Sequence, residues 1–320
     1  MHFNILEKEK ALACQEQSLR IRSLNYGTSH ISVAQCLFCL GDIHLQANDL
    51  DKSLNCFSES KDIFKENLNS DHHVLIAKVL GRIASVHCYL YNDDEAISYY
   101  LESLTMYKKC LDLNEYVITK ISTDSDSRED YIDYAESSYN VAIVYEAMEM
   151  YNNAKENLTE SLRIFKFLFG KEDLNVAKAI LGVGLLHAKK NKFDKAITLV
   201  REALRVRKLK LDDNDCLVAT TYMSLGVIYE KARRYEEAKR SFGDALKIRV
   251  QANGRISLEV AQTLNNIAIC LGNMNKFSAA VSKWEEALEI LIELDVSEDE
   301  DIMATIVNYI TVAKSQYETK

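Results

Sequence analysis

The feature that most limits what this chain can become is a recurrence of small residues at intervals of about 42. TYMSLGVIYEKARRYEEA (221–238) returns as TLNNIAICLGNMNKFSAA (263–280). Stepping from Gly226 by that interval meets Gly184 and Ala142 backward and Ala268 forward; a longer gap leads back to Ala84, then to Gly41. Twelve residues after each of these six anchors stands a second small residue: Ser53, Ala96, Ala154, Ala196, Ala238 and Ala280. Seven further on stands a third: Ser60, Ser103, Ser161, Ala203, Ala245 and Ala287. All eighteen are Gly, Ala or Ser, types that make up about one in five residues of the chain. Small residues at fixed steps mark close backbone approach, because anything larger than a methyl group would hold two helices apart.

Apolar residues recur around the anchors with helical spacing. Tyr222, Leu225, Gly226 and Tyr229 stand at i, i+3, i+4 and i+7, and Ala238, Phe242, Ala245, Leu246 and Ile248 carry the next helix. Polar stretches such as KARRYEE and GNMNKFS separate the two. Each unit is thus a helical hairpin with an apolar face too large to cover alone, and stacking copies buries it. The chain contains no proline, where about 5% is usual, and only ten glycines, which suits helices nearly throughout.

The spacing predicts one repeat array over 1–320. Residues 1–25 form the second helix of an incomplete first unit. Hairpins follow over 33–67, 76–120, 134–168, 176–210, 218–251 and 260–294, and a terminal helix over 301–317. The step from Ala84 to Ala142 is about sixteen residues too long. The extra material includes LNEYVITKISTDSDSRED (113–130), which reads as a longer helix followed by an acidic, Ser-rich loop at 121–130. Thr123 and Ser127 each precede an acid by three residues, a pattern similar to acidophilic kinase sites. DVSEDED (295–301) reads as a solvated loop.

The pattern resembles the tetratricopeptide repeat, and its 42-residue length is similar to the variety in kinesin light chains. YGTSHISVAQ (26–35), FGKEDLNVAK (169–178) and VAQTLNNIA (260–268) resemble that variety's LG-x-D-H-P junction and V-A-x-T-L-N-N-L-A helix. The junction proline is missing throughout, and only His30 and His73 keep the histidine. The resemblance implies an all-α, right-handed superhelical solenoid of antiparallel helix pairs that binds protein segments in its concave groove.

It also implies which residues face that groove. Two positions before the anchors stand Cys39, Arg82, Asn140, Gly182, Ser224, Asn266 and Asn308. An asparagine amide offers both donor and acceptor and so can bracket a peptide bond. Lys78 and Arg82 are four apart and can reach one anion. Lys178, Lys189 and Lys231 extend the candidate groove set, which is Lys78, Arg82, Asn140, Lys178, Lys189, Lys231, Asn266 and Asn308. The expected partners are other proteins, through extended or short helical segments; an acidic segment suits Lys78, Arg82 and Lys178.

The remaining chemistry is sparse. No phosphate-binding glycine loop, H-E-x-x-H or G-x-S-x-G is present, so no enzyme activity, cofactor or metal is expected. Cys36 and Cys39 share a helix as CLFC, with Cys14 and Cys56 on neighbouring helices, and read as structural thiols. His44, His87 and His187 take the slot of Tyr145 and Tyr229, and Trp284 that of Phe57, Tyr100 and Phe242, so all four read as packing residues. A net charge of −9 argues against nucleic acid. No apolar run has the length to enter a membrane and the N-terminus lacks a signal-peptide core, so a cytoplasmic location is expected. The start in mid-unit suggests an alternative, a sensor array belonging to a larger signalling ATPase.

Overall fold

A computed structural model of the chain describes residues 5–68, 73–113, 125–295 and 300–318. Among them are fourteen α-helices and no strand. They fall into two compact units, Met1–Gly170 and Lys171–Lys320. The first holds α1 (Ile5–Tyr26), α2 (Ile31–Gln46), α3 (Leu50–Asn67), α4 (Val74–Tyr89), α5 (Asp93–Cys110), α6 (Ser125–Ala147) and α7 (Tyr151–Phe169). The second holds α8 (Leu174–Lys189), α9 (Phe193–Lys210), α10 (Cys216–Lys231), α11 (Tyr235–Asn253), α12 (Leu258–Asn273), α13 (Phe277–Glu293) and α14 (Glu300–Glu318). Within each unit, helices pack pairwise in chain order as antiparallel hairpins, and each hairpin lies against the next. Each unit is thus a run of hairpins.

The eighteen small residues line the seams of these hairpins. All twelve at the second and third positions have no exposed surface, nor do Ala84, Ala142 and Ala268, and Gly41, Gly184 and Gly226 are buried. Glycine is required where an aromatic ring lies across the seam: a methyl group on Gly41 would stand 2.5 Å from the Phe57 ring, and Gly226 meets Phe242 in the same way. Where serine replaces alanine, its hydroxyl usually finds a carbonyl of the partner helix. Ser53 Oγ donates to Gly41 O (2.8 Å), Ser60 Oγ to Ala34 O (2.8 Å) and Ser103 Oγ to Ala77 O (2.7 Å). Ser161 Oγ is buried with no hydrogen-bond partner among the described residues.

Every hairpin turn closes in one way. Asn48, Tyr91, Glu149, Asn191, Arg233 and Asn275 each lie seven residues after an anchor and adopt φ between 55° and 61°. The amide after each donates five residues back, as in Asp49 N to His44 O (2.9 Å) and Arg234 N to Tyr229 O (2.8 Å). This is the Schellman closure, which satisfies the last carbonyls of the first helix.

Junctions between hairpins are capped by side chains. The Ser32 and Leu75 amides donate to the Nδ1 atoms of His30 and His73 (both 3.1 Å), Asn175 N to Asp173 (2.8 Å) and Leu217 N to Asp215 (2.7 Å). The two junction histidines are thus N-caps, a role that Asp173, Asp215 and Ser257 take elsewhere. Arginines add a second tie. Arg207 Nη1 donates to Leu217 O (3.0 Å) and Thr221 Oγ1 (2.6 Å); forty-two residues on, Arg249 Nη1 donates to Glu259 O and Thr263 Oγ1 (both 2.8 Å).

Two expectations about the long gap are corrected. The helix expected to run to residue 120 ends at Cys110. The loop expected at 121–130 is helical from Ser125 onward. Serine and acidic residues, read as loop-formers, are also the residues that favour a helix N-terminus, where carboxylates meet the positive end of the helix dipole. Residues 114–124, including Thr123, lie outside the described residues, as do 296–299 of the second acidic stretch.

Candidate functional site

In the first unit, α4 carries Lys78 and Arg82 one turn apart, with Asn140 on α6 beside them. Neither cation is free to meet an incoming anion. Lys78 Nζ lies 3.0 Å from Asp133 Oδ2, 3.2 Å from Asp130 Oδ1 and 3.5 Å from Glu129 Oε1, and Arg82 Nε lies 3.0 Å from Asp42 Oδ1. The acids come from α2 and from the first turns of α6, the helix that the expected loop concealed. The basic bias read from α4 alone is therefore reversed here by its neighbours.

The titration behaviour follows from that crowding. Burial depresses the Lys78 ammonium, but Asp133 and Asp130 outweigh it and hold its pKa above the usual lysine range. One lysine shared among three carboxylates cannot do the same for each of them. Burial pushes the Asp133 carboxyl up by more than Lys78 pulls it down, and burial likewise raises Asp42 against the pull of Arg82.

Lys78, Arg82, Glu129 and Asp133 border a solvent-open cleft lined by α2, α4, α5 and α6, with Phe38, Ser85, Glu136, Ser137 and Asn140 on its walls. The Tyr100 hydroxyl shares a hydrogen bond with Ser85 Oγ (2.8 Å). Tyr107 has no exposed surface, and its hydroxyl has no hydrogen-bond partner among the described residues.

In the second unit, a less polar cleft lies along α12. Met223, Leu258, Ala261, Leu291 and Ile306 supply apolar surface, and Gln262, Asn265 and Asn266 supply amides. Asn265 is fixed by Trp284, whose Nε1 donates to its Oδ1 (2.9 Å) and whose ring stacks on Tyr309 at 5.4 Å. Asn266 and Gln262 make no side-chain hydrogen bond among the described residues.

The other candidates are dispersed. Lys178 is half-buried on α8, Lys189 and Lys231 are exposed at the C-terminal ends of α8 and α10, and Asn308 is exposed on α14. Only Asn266 among the unit's candidates borders the apolar cleft. Trp284 is 5% exposed and His87 stacks on Tyr99 at 5.4 Å, so both pack as expected. Cys36 is buried, whereas Cys39 and Cys14 are exposed. The Asn265–Trp284 bond and the arginine ties were not anticipated, although Arg207/Arg249 and Thr221/Thr263 recur at the repeat interval.

The family model described as tetratricopeptide repeat matches residues 6–66, 39–109, 133–208 and 217–293, most of the chain. The chain belongs to the tetratricopeptide repeat family. Solved structures share the fold at low identity. BtubC (BKLC) from P. vanneervenii matches with 19% identity and a TM-score of 0.60, over 77% of this chain and 92% of that one. Kinesin light chain nearly identical TPR-like repeats from Podosopora anserina match with 13% identity and a TM-score of 0.55, over 70% and 98%. A Signal Transduction ATPase with Numerous Domains with a tetratricopeptide repeat sensor, from Pyrococcus horikoshii, matches with 14% identity and a TM-score of 0.66. That match covers 97% of this chain but 44% of that one. No curated protein matches the chain in sequence. Among the described residues no helix is long and apolar enough to cross a membrane.

Proposed function

We propose that this tetratricopeptide repeat chain is a protein-interaction module that holds an extended segment of a partner along the first helices of its hairpins, with Asn266 as a main-chain clamp. The observation that carries the reading is the cleft on α12. Its apolar surface suits side chains, and Asn266 and Gln262 present amides with no internal hydrogen-bond partner. An unpaired donor and acceptor above apolar surface match a peptide bond, whose N–H and C=O must both be satisfied once water is displaced. A preformed helical surface loses little entropy on binding, so modest contacts add.

The test is selection of binders from a displayed random nonapeptide library, followed by fluorescence anisotropy with each selected peptide. Asn266→Ala removes two hydrogen bonds and should weaken binding about tenfold at unchanged helicity. If the equally folded variant binds as tightly, or no peptide is selected, the reading fails.

A further inference from the structure

The polar cleft of the first unit has a charge imbalance that its own side chains do not resolve. Three carboxylates (Glu129, Asp130 and Asp133) surround the single Lys78 ammonium, which uses them within 3.5 Å. Arg82 is matched one to one by Asp42. Glu136 borders the same cleft and has no ion-pair partner among the described residues. Three acids (Glu129, Asp133 and Glu136) thus line the cleft beside two cations that already have Asp130 and Asp42 as further partners. A second observation is independent of the acids: Tyr107 is fully buried, lines the cleft, and its hydroxyl has no hydrogen-bond partner among the described residues. An orphaned buried hydroxyl costs about 1–3 kcal/mol unless a ligand or water satisfies it.

The shape of the walls narrows the kind of cation. The described residues contain no cluster of three or more ligating side chains that could hold a metal ion. Phe38, on α2, contributes an aromatic side chain to the cleft lining. A planar guanidinium stacks on such a ring and directs five donors sideways in its own plane, towards carboxylates; an ammonium has neither property. We infer that this cleft receives an arginine side chain of a partner's protein segment, stacked at Phe38 and paired with Glu136 and the excess carboxylates around Lys78. The inference rests on the reading of the chain as a segment-binding module, but it concerns different residues in a different unit. It also reverses the charge expected of the partner, because the acids of α6 outnumber the cations of α4.

The probes are fluorescein-labelled nonapeptide pools with random flanks and one fixed central residue: arginine, citrulline, lysine or glutamate. Citrulline keeps the shape of arginine and removes its charge. Anisotropy against the full chain should show the arginine pool binding about fivefold or more tighter than the citrulline and lysine pools. That preference should vanish in Glu129→Gln/Glu136→Gln and shrink in Glu136→Gln alone, each checked for native helicity. It should persist in Asp212→Asn/Asp213→Asn, which removes the same charge from exposed positions in the other unit. Equal binding of the arginine and citrulline pools overturns the inference, as does equal binding of lysine or tighter binding of glutamate. Loss of the preference in the Asp212/Asp213 control would reduce it to attraction by net charge and equally overturn it. If the arginine preference fails while Asn266-dependent binding holds, only this inference falls; if both fail, the function proposed above falls with it.

Discussion

Gly226→Ala should destabilise the second unit even though alanine is the better helix former. The new methyl group would lie 2.6 and 2.8 Å from Phe242 Cδ1 and Cζ, where carbon atoms rest about 3.5–4.0 Å apart. Mid-helix, the exchange gains about 0.8–1.0 kcal/mol of propensity. Forcing a fully buried ring aside costs about 1–3 kcal/mol, so overpacking wins by about 1 kcal/mol and can reach 2. Phe242→Leu alone opens a cavity and costs about 2 kcal/mol. Together the two changes recreate a pairing this chain already uses: Ala142 and Leu158 stand in the same slots, both without exposed surface. The double variant should therefore be more stable than the sum of the singles by about 1 kcal/mol or more.

Trp284 makes the assay specific to this unit. It is the chain's only tryptophan and is nearly buried, so its fluorescence in a urea titration reports the second unit. Gly226→Ala should lower the midpoint by about 0.5–1 M for a typical urea dependence. A raised midpoint would mean that the ring yields freely and that glycine is not required there. Strict additivity of the two changes would refute complementarity across the seam.

Three further outcomes follow from single contacts. Ser161→Ala should stabilise the first unit by about 1 kcal/mol, because it removes a buried hydroxyl that has no partner, whereas Ser60→Ala loses a bond to Ala34 O and should cost about as much; slowed and accelerated amide exchange in α7 and α3 would show the two signs. Arg207→Met leaves Leu217 O without that donor and should cost about 1.5–3 kcal/mol, read as faster exchange in the first turns of α10. Because burial raises the folded-state pKa of Asp133 above its unfolded value, the native state takes up its proton first as pH falls. Wild type should therefore gain stability relative to Asp133→Asn as pH is lowered through the folded pKa towards 3.8, measured as exchange protection of α6; a constant difference across that window refutes it.

The seams were legible in the sequence because close approach admits few residue types, so Gly226, Ala238 and Ala245 carry their meaning without knowledge of the neighbours. The junction histidines were legible as positions but not as caps, since their role depends on the backbone angle at His30 and His73. The surroundings of Lys78 and Arg82 were illegible for a different reason. Lys78 is surrounded by Asp130 and Asp133, more than fifty residues later and across a gap whose length hid the repeat register, and Arg82 pairs with Asp42 on the preceding hairpin. Charge on a helix face can be read from one helix, but charge in a cleft is a sum over every helix that borders it.

The recurring hairpin closure bears on how the chain reaches its fold. Each turn joins two helices that neighbour each other in sequence, and its hydrogen bonds span only five residues. Contacts of short sequence separation form with little loop-closure entropy, so such topologies fold rapidly. Each closed hairpin then presents its apolar face as a template for the next, and order spreads outward from whichever hairpin closes first.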